Sequence, residues 1–416
     1  MWSAVRGTYR TFSGGAKSFS TVIAGRDQRL PNAAFIAAGN MADPMVQAAL
    51  KIPGMAPDKV CVAARSKAHL FGSYGVAMRP SVAAAVQSSQ LLFLCPKPQI
   101  FAEVMAGAKV TDDSTCVSIM AGVPMAVVER VTGCTQVIRC MPNTPGAVGL
   151  GITGFCAADG VDPVDLSLTK QVLSGMGKVV EFKTERDLDK VTAISGSGPA
   201  YIFSILQDIA QLLQMTGSSE QGLVQSILAG CAFGMIQAGQ ELGLETSVVL
   251  QLVGQTFVGA AAYARHCARL AEPVDMPTLI KQVRSPGGTT NAALLLFDEE
   301  ALSAQIAVPF GVPVGALNQC SNQIQINNIV WQLAEQTGRH VLSGKGFQPF
   351  GTISGTIERG VYAAHQRAGE LGQIALVNAG LANSVISQDA LAVKHTLEGL
   401  VTQEPAKHAD AVPFNK

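Results

Sequence analysis

A succession of short apolar segments, each closed by a turn signal, constrains this chain more than any other feature. The segments are 33–37 (AAFIA), 60–64 (VCVAA), 90–98 (QLLFLCPKP), 117–123 (VSIMAGV), 136–141 (QVIRCM) and 178–182 (KVVEF). Amphipathic stretches separate them. That pattern belongs to parallel strands buried on both faces and joined by crossover helices. Loops that follow such strands line a ligand crevice. Lys97, Ala121, Gly122 and the 142–145 turn (PNTP) are therefore placed to touch a ligand. Asn143 reads equally as a hydrogen-bonding partner for that ligand and as an Asx turn.

The first strand runs into Ala38-Gly39-Asn40-Met41-Ala42 and then into an apolar-periodic segment ending near Leu50. Strand, tight small-residue turn and helix make the opening unit of a dinucleotide fold. Ala37, Gly39 and Ala42 stand at the three glycine positions of its fingerprint. Alanine suits the third, where helix and strand pack closely. At the first it restricts φ, so the turn must be one that alanine adopts. The second strand ends in Arg65-Ser66-Lys67, with two cations, a hydroxyl and no acid. An acid there would bond a ribose 2′-hydroxyl, whereas a planar guanidinium suits a 2′-phosphate. The expected cofactor is NADP(H) in preference to NAD(H), with NAD(H) possible.

From about residue 185 the pattern turns helical. Ser195-Gly196-Ser197-Gly198-Pro199 precedes a helix, and helical periodicity continues to about Leu270 with few charges on either face. Helices apolar nearly all round are buried in a core or a subunit interface, which points to a homo-oligomer. Val283 and Arg284 lead into Ser285-Pro286-Gly287-Gly288-Thr289-Thr290. The proline fixes one φ, the glycines permit a tight or left-handed turn, and the threonines stand where the next helix begins. The product is a cluster of N–H and O–H donors suited to a small carboxylate. Residues 298–339 read as an insertion, with no charge from Leu302 to Ala334 and a short helical pattern at 327–336. The domain resumes at 340–346 and in a helix over 360–371, and the polar tail at 404–416 is expected to be disordered.

Of the 416 residues, 48% are hydrophobic and 14% charged, enough for large cores in two domains and too apolar for general disorder. Net charge is zero, so no basic face offers itself to nucleic acid. Mean hydropathy is positive, at +0.28, but no 18-residue apolar run escapes interruption by Gly, Ser, Gln or Asn, and no membrane span is expected. The nine scattered cysteines argue for reduced thiols. No spaced Cys/His cluster indicates a metal. Residues 1–30 carry Arg6, Arg10, Lys17 and Arg26 with no acid before Asp27. That composition suits a targeting segment, mitochondrial first, with plastid or cytoplasm as alternatives.

Taken together, FIAAGNMA (35–42), ARS (64–66), FLCPKP (93–98), VIRCMPNTP (137–145), SGSGPAY (195–201), SPGGTTNAAL (285–294) and VYAAHQRAGEL (361–371) resemble the pyrroline-5-carboxylate reductase family. The resemblance covers roughly 32–297 and 340–372. It implies an α/β N-terminal Rossmann-like domain at 31–184 and an all-α C-terminal dimerisation domain at 185–403, with dimers assembled further into a decamer-like ring. It implies reduction of L-1-pyrroline-5-carboxylate to L-proline by NADPH or NADH. Carried over by position, Val283, Ser285, Gly287, Gly288, Thr289 and Thr290 hold the substrate, with Thr290 on the ring nitrogen. Ala38, Gly39, Asn40 and Met41 meet the pyrophosphate, Arg65 and Ser66 the 2′-phosphate, and Lys97, Ala121, Gly122 and Asn143 the nicotinamide end. The chain departs from the family at Ala37, at Arg284 and in the 298–339 tract. A 3-hydroxyacid reductase of similar plan would instead use a lysine as general acid, and Lys190 lies near that place.

Overall fold

The computed structural model describes residues 30–64, 68–217, 221–310, 312, 328–344 and 351–379, and the backbone of Thr11–Phe12. Among these, nine strands form one sheet. They are β1 (Thr11–Phe12), β2 (Ala33–Ile36), β3 (Val60–Ala63), β4 (Ala77–Met78), β5 (Leu91–Leu94), β6 (Thr115–Ser118), β7 (Val137–Met141), β8 (Gly151–Ala157) and β9 (Gly177–Glu181). Their order is β1-β9-β8-β7-β6-β5-β2-β3-β4. The strands from β4 across to β7 are parallel. Alternation along β2 explains its unbroken apolar sequence, since Ala33 and Phe35 pack into one core while Ala34 and Ile36 pack into the other. Phe35 stacks on Phe93 of β5 with ring centroids 4.5 Å apart.

Helices cover both faces. They are α1 (Ala42–Ala49), α2 (Ala68–Ser73), α3 (Val82–Gln87), α4 (Phe101–Met105), α5 (Met125–Thr132) and α6 (Pro163–Ser174). The sheet differs from the all-parallel expectation at β8, which pairs antiparallel with β7, Ile138 opposite Ala157. Its sequence, GITGFCA, hides a strand behind two glycines. At Gly154 an added Cβ would lie 3.0 Å from Phe182 and Val191, so a neighbouring element fills the missing side chain's place. Thr11–Phe12, inside the expected leader, pairs antiparallel with β9 and forms the edge of the sheet.

The second half is helical. It comprises α7 (Asp187–Val191), a π-helical turn (Thr192–Gly196), α8 (Gly198–Thr216), α9 (Gln221–Glu241), α10 (Thr246–Cys267), α11 (Met276–Val283), α12 (Thr289–Glu299), α13 (Leu302–Ala307), α14 (Asn328–Leu342) and α15 (Gly351–Asn378). Tyr201, Phe257, Trp331 and Ile357 belong to its single core. Buried Arg139 on β7 ties this half to the sheet through Asp189, at 2.6 Å, and Glu185, at 3.4 Å. By length and composition α9 and α10 are apolar enough to cross a membrane, yet 67% of each apolar window is buried inside the fold.

The described residues of the 298–339 tract are largely helical. The tract contains the end of α12, all of α13 and most of α14, and the last helix runs well beyond 360–371. Val330, Ala334 and Val341 of α14 are buried at helical spacing, which gives that helix an apolar face. That face lies on α10. An added Cβ on Gly338 would stand 2.6 Å from the Gly254 carbonyl, so the two backbones touch.

Candidate active site

β2 and β5 are neighbours, but the strands after them extend the sheet in opposite directions. Loops leaving such a pair diverge and open a crevice at the strands' carboxyl ends. Here that crevice has a volume of about 740 Å³. Its walls are the 37–42 turn, Ala63 and Ala64 after β3, Arg79 to Val82 after β4, the 95–98 turn, Ile119 to Ala121 after β6, and Ser285.

The 37–42 turn is bent against its sequence. Ala37 takes a left-handed φ of 54° where the fingerprint has glycine. The turn is pinned by Ala38 N–H donating to Ala63 O at 3.3 Å, and by the amides of Ala42 and Asp43 converging on Gly39 O at 3.1 and 3.2 Å. No atom lies within 4 Å of a Cβ added to Gly39, so its bare backbone faces open space. No side chain caps α1. Asp43, an acid in that first turn, accepts from Tyr74 Oη at 2.8 Å and from Gln47 Nε2 at 3.0 Å. Desolvation first, then the Asp43 bond, push the Tyr74 phenol up to about 12, so it remains a donor at neutral pH.

Across the crevice, Gly287 takes a left-handed φ of 64°. Gly288 cannot be replaced without movement, because a Cβ would stand 2.2 Å from Ser285 Oγ. The Gly288 amide donates to Ser285 O at 2.9 Å and is therefore engaged within the turn. Gly288 is also the N-cap of α12, and no side chain caps that helix, which leaves its first-turn N–H groups to an external acceptor. Two distant segments brace this turn. The Thr290 hydroxyl donates to Ser197 Oγ at 2.9 Å, and Thr289 Oγ1 lies 3.1 Å from the same oxygen. Arg367 of α15 donates from Nε to Gly287 O at 2.7 Å.

Ala38, Gly39, Asn40, Met41, Lys97, Ala121 and Ser285 thus meet around one crevice. Thr289 and Thr290 are buried behind Ser285, and Val283 ends α11 and packs on the helical core. Two residues expected at the ligand are absent from the crevice wall. Asn143 Nδ2 donates to Ser195 O at 3.1 Å and its Oδ1 accepts from Ile152 N at 3.0 Å, so the side chain braces the fold and does not cap the turn that follows it. Gly122 lies against α15, where a Cβ would come 2.9 Å from Ala368 O, so close packing explains this glycine. Arg65 and Ser66 lie outside the described residues. Arg284 is half-buried, is not part of the crevice wall, and donates from Nε to Asn291 Oδ1 at 2.7 Å. Lys190 is paired with Asp187 at 2.8 Å and is not part of the crevice wall.

Sequence reading missed Ser197, Arg367 and Arg79 as site residues. The Ser/Gly run at 195–198 drew attention to Ser197, but its partners lie 92 and 93 residues away. Arg367 lies inside the 361–371 motif, but nothing local marks it as the partner of Gly287, 80 residues away.

Residues 226–308 match the family model for pyrroline-5-carboxylate reductase dimerisation, and residues 32–122 match the model for NADP oxidoreductase, coenzyme F420-dependent. A pyrroline-5-carboxylate reductase from Pseudomonas aeruginosa is 31% identical over 315 residues, 74% of this chain and 99% of the relative. The chain belongs to the pyrroline-5-carboxylate reductase family. The namesake enzyme of a Synechocystis species is 29% identical over 65% of this chain and 91% of its own length. The crystal structure of a family member from Coxiella burnetii is 26% identical over 70% of this chain and 98% of that chain, with a TM-score of 0.38. The family's dimerisation match begins inside α9 and ends at the turn after α13, so α14 and α15 lie beyond it.

Proposed function

We infer that this chain reduces the C=N bond of L-1-pyrroline-5-carboxylate to give L-proline, the last step of proline biosynthesis, with a reduced nicotinamide dinucleotide as co-substrate. The observation that carries the reading is the meeting of two turns, since Ser285 lines the same crevice as the 37–42 dinucleotide turn. Family membership supports the same reaction.

The crevice fits the cofactor. It lies at the sheet's switch point, and the bare backbone of Gly39 offers an approach for a pyrophosphate. Ala38 to Met41 would hold that group, with Lys97 and Ala121 toward the nicotinamide. When bound, the reduced nicotinamide supplies the hydride that the imine carbon accepts.

The chain's own residues bind and orient. Uncapped N–H groups at the start of α12 hold the substrate carboxylate, with the helix dipole in support. Because the Thr290 proton is directed at Ser197, the Thr290 oxygen presents lone pairs, which suit the N–H of a protonated imine. The substrate arrives protonated, so no side chain has to act as proton donor. Arg367 and Ser197 fix the turn that aligns the imine carbon with its hydride donor.

NADP(H) is the preferred cofactor, with Arg65 and Ser66 as readers of the 2′-phosphate and NAD(H) as a usable alternative. The chain works as a homo-oligomer, dimers assembling into a decamer-like ring through the helical domain, and it is directed to the mitochondrion by residues 1–30. The test is NADPH oxidation at ~340 nm with pyrroline-5-carboxylate, repeated with NADH and with Thr290→Ala. The variant is expected to lose about 1–3 kcal/mol in kcat/KM, the range for a hydrogen bond to a charged group. No turnover by the wild type with either cofactor would refute the activity, and an undiminished Thr290→Ala would remove the role given to Thr290.

A further inference from the structure

The far end of the crevice carries a cation that none of the motifs above includes. Arg79 follows β4, the edge strand beside β3, and lines the crevice with Ala63, Ala64 and Ser81. Its backbone is fixed twice. Its N–H donates to Val62 O at 2.8 Å, which holds it at the carboxyl end of β3, and Pro80 after it restricts it to extended conformations. Its guanidinium is exposed and makes no ion pair or hydrogen bond with any described residue. The crevice wall formed by the ends of β3 and β4 contains no carboxylate, its only acid being Glu103 of α4 beyond the 95–98 turn.

In a sheet of this topology, a dinucleotide with its pyrophosphate on the turn after β2 places its adenosine over the ends of β3 and β4. An acid there would hold a free ribose diol, whereas a fixed planar guanidinium fits a phosphate monoester through two parallel hydrogen bonds. We propose that Arg79 reads the 2′-phosphate of NADP(H) from the β4 side of the crevice and so selects NADP(H) over NAD(H). The inference rests on the dinucleotide reading of the crevice and adds to it a determinant outside the loop after β3. Arg79 approaches from the sheet edge, where its backbone is held on both sides, and its contact is made in binding, before any chemistry.

The experiment titrates full-length wild type, Arg79→Ala and Arg79→Lys with NADPH, NADH, 2′,5′-ADP and ADP, by calorimetry or by nucleotide fluorescence where it applies. Arg79→Ala is expected to weaken NADPH and 2′,5′-ADP by about tenfold or more, the effect of losing a charge-assisted hydrogen bond. NADH and ADP should stay within about twofold. Arg79→Lys should fall between, since it keeps the charge and loses the fork. Equal weakening of NADPH and NADH would overturn the proposal and mark an adenine contact instead. Unchanged NADPH affinity in Arg79→Ala would overturn it while leaving the crevice reading intact. Failure of the wild type to bind both NADPH and 2′,5′-ADP would refute the crevice reading, and this inference with it. Arg79 is exposed, so matching thermal unfolding of the variants separates a lost contact from a lost fold.

Discussion

The two turns that face each other across the crevice are built in opposite ways. The one before α1 is bent against its sequence, with Ala37 at φ 54°, a conformation that disfavours alanine by about 1–2 kcal/mol. Its neighbours in the sheet hold it, through Ala38 and Ala63. The one before α12 has a glycine, Gly287, at its left-handed position. Its local sequence suits its bend, yet it is held by side chains from afar, Ser197 and Arg367. The contrast teaches where each turn is vulnerable. Damage to the first should register in stability or nucleotide affinity, and damage to the second in the placing of the substrate.

The widest separation should come from one substitution made on both sides. In Gly288→Ala the new Cβ meets Ser285 Oγ at 2.2 Å and Ser285 O at 3.1 Å, so Ser285, which lines the crevice, must shift. A shift of about 1 Å in a reacting group costs about 100-fold, so kcat/KM for pyrroline-5-carboxylate should fall by about that much. In Gly39→Ala the Cβ meets nothing within 4 Å, so unfolding temperature should hold while NADPH affinity drops as the backbone loses its close approach. Thermal melts and NADPH titrations on both variants check this, and matching losses of stability would break the comparison.

Next comes Arg367→Ala, which removes the donor from Gly287 O. Substrate KM should rise by about tenfold, near the value of one hydrogen bond from a charged group, while KM for NADPH changes little. A parallel rise in both constants would mean that Arg367 supports the whole molecule instead of one turn. The smallest effect is a gain. Ala37→Gly relieves the left-handed strain and returns part of it as chain entropy, for a net stabilisation of about 0.5–1 kcal/mol by denaturant unfolding. A loss of stability in that variant would show that alanine is at ease there, and the first turn would no longer be the strained one.

The same contrast explains what could be read without coordinates. The 37–42 side of the crevice is local, because strand, turn and helix follow one another and each has a period or a turn residue to mark it. β2, β3, β5 and β7 were legible for that reason. β8 was not, since Gly151 and Gly154 erase the alternation that marks a strand, and only Phe182 and Val191 supply the missing bulk. Asn143 looked available because sequence does not reveal that Ser195 and Ile152 already engage it. Across the crevice, SPGGTT announced a donor cluster, but Ser197 and Arg367 acquire their roles only when α8 and α15 come together around α12. Ala37 was flagged as a departure, and the structure adds its sign, a positive φ that the alanine has to accept.

The crossing of α10 and α14 bears on how such a chain can change over generations. Gly254 and Gly338 meet backbone to backbone, and Glu335 of α14 pairs with Arg265 of α10. A side chain gained at either glycine would push the helices apart, and loss of α14 would uncover the face of α10 on which it packs. The Gln- and Asn-rich composition of the 298–339 tract looks freely replaceable, but this one contact ties α14 to the rest of the fold. Substitutions should therefore accumulate in the tract while Gly338 stays fixed, a constraint set by a single missing methyl group.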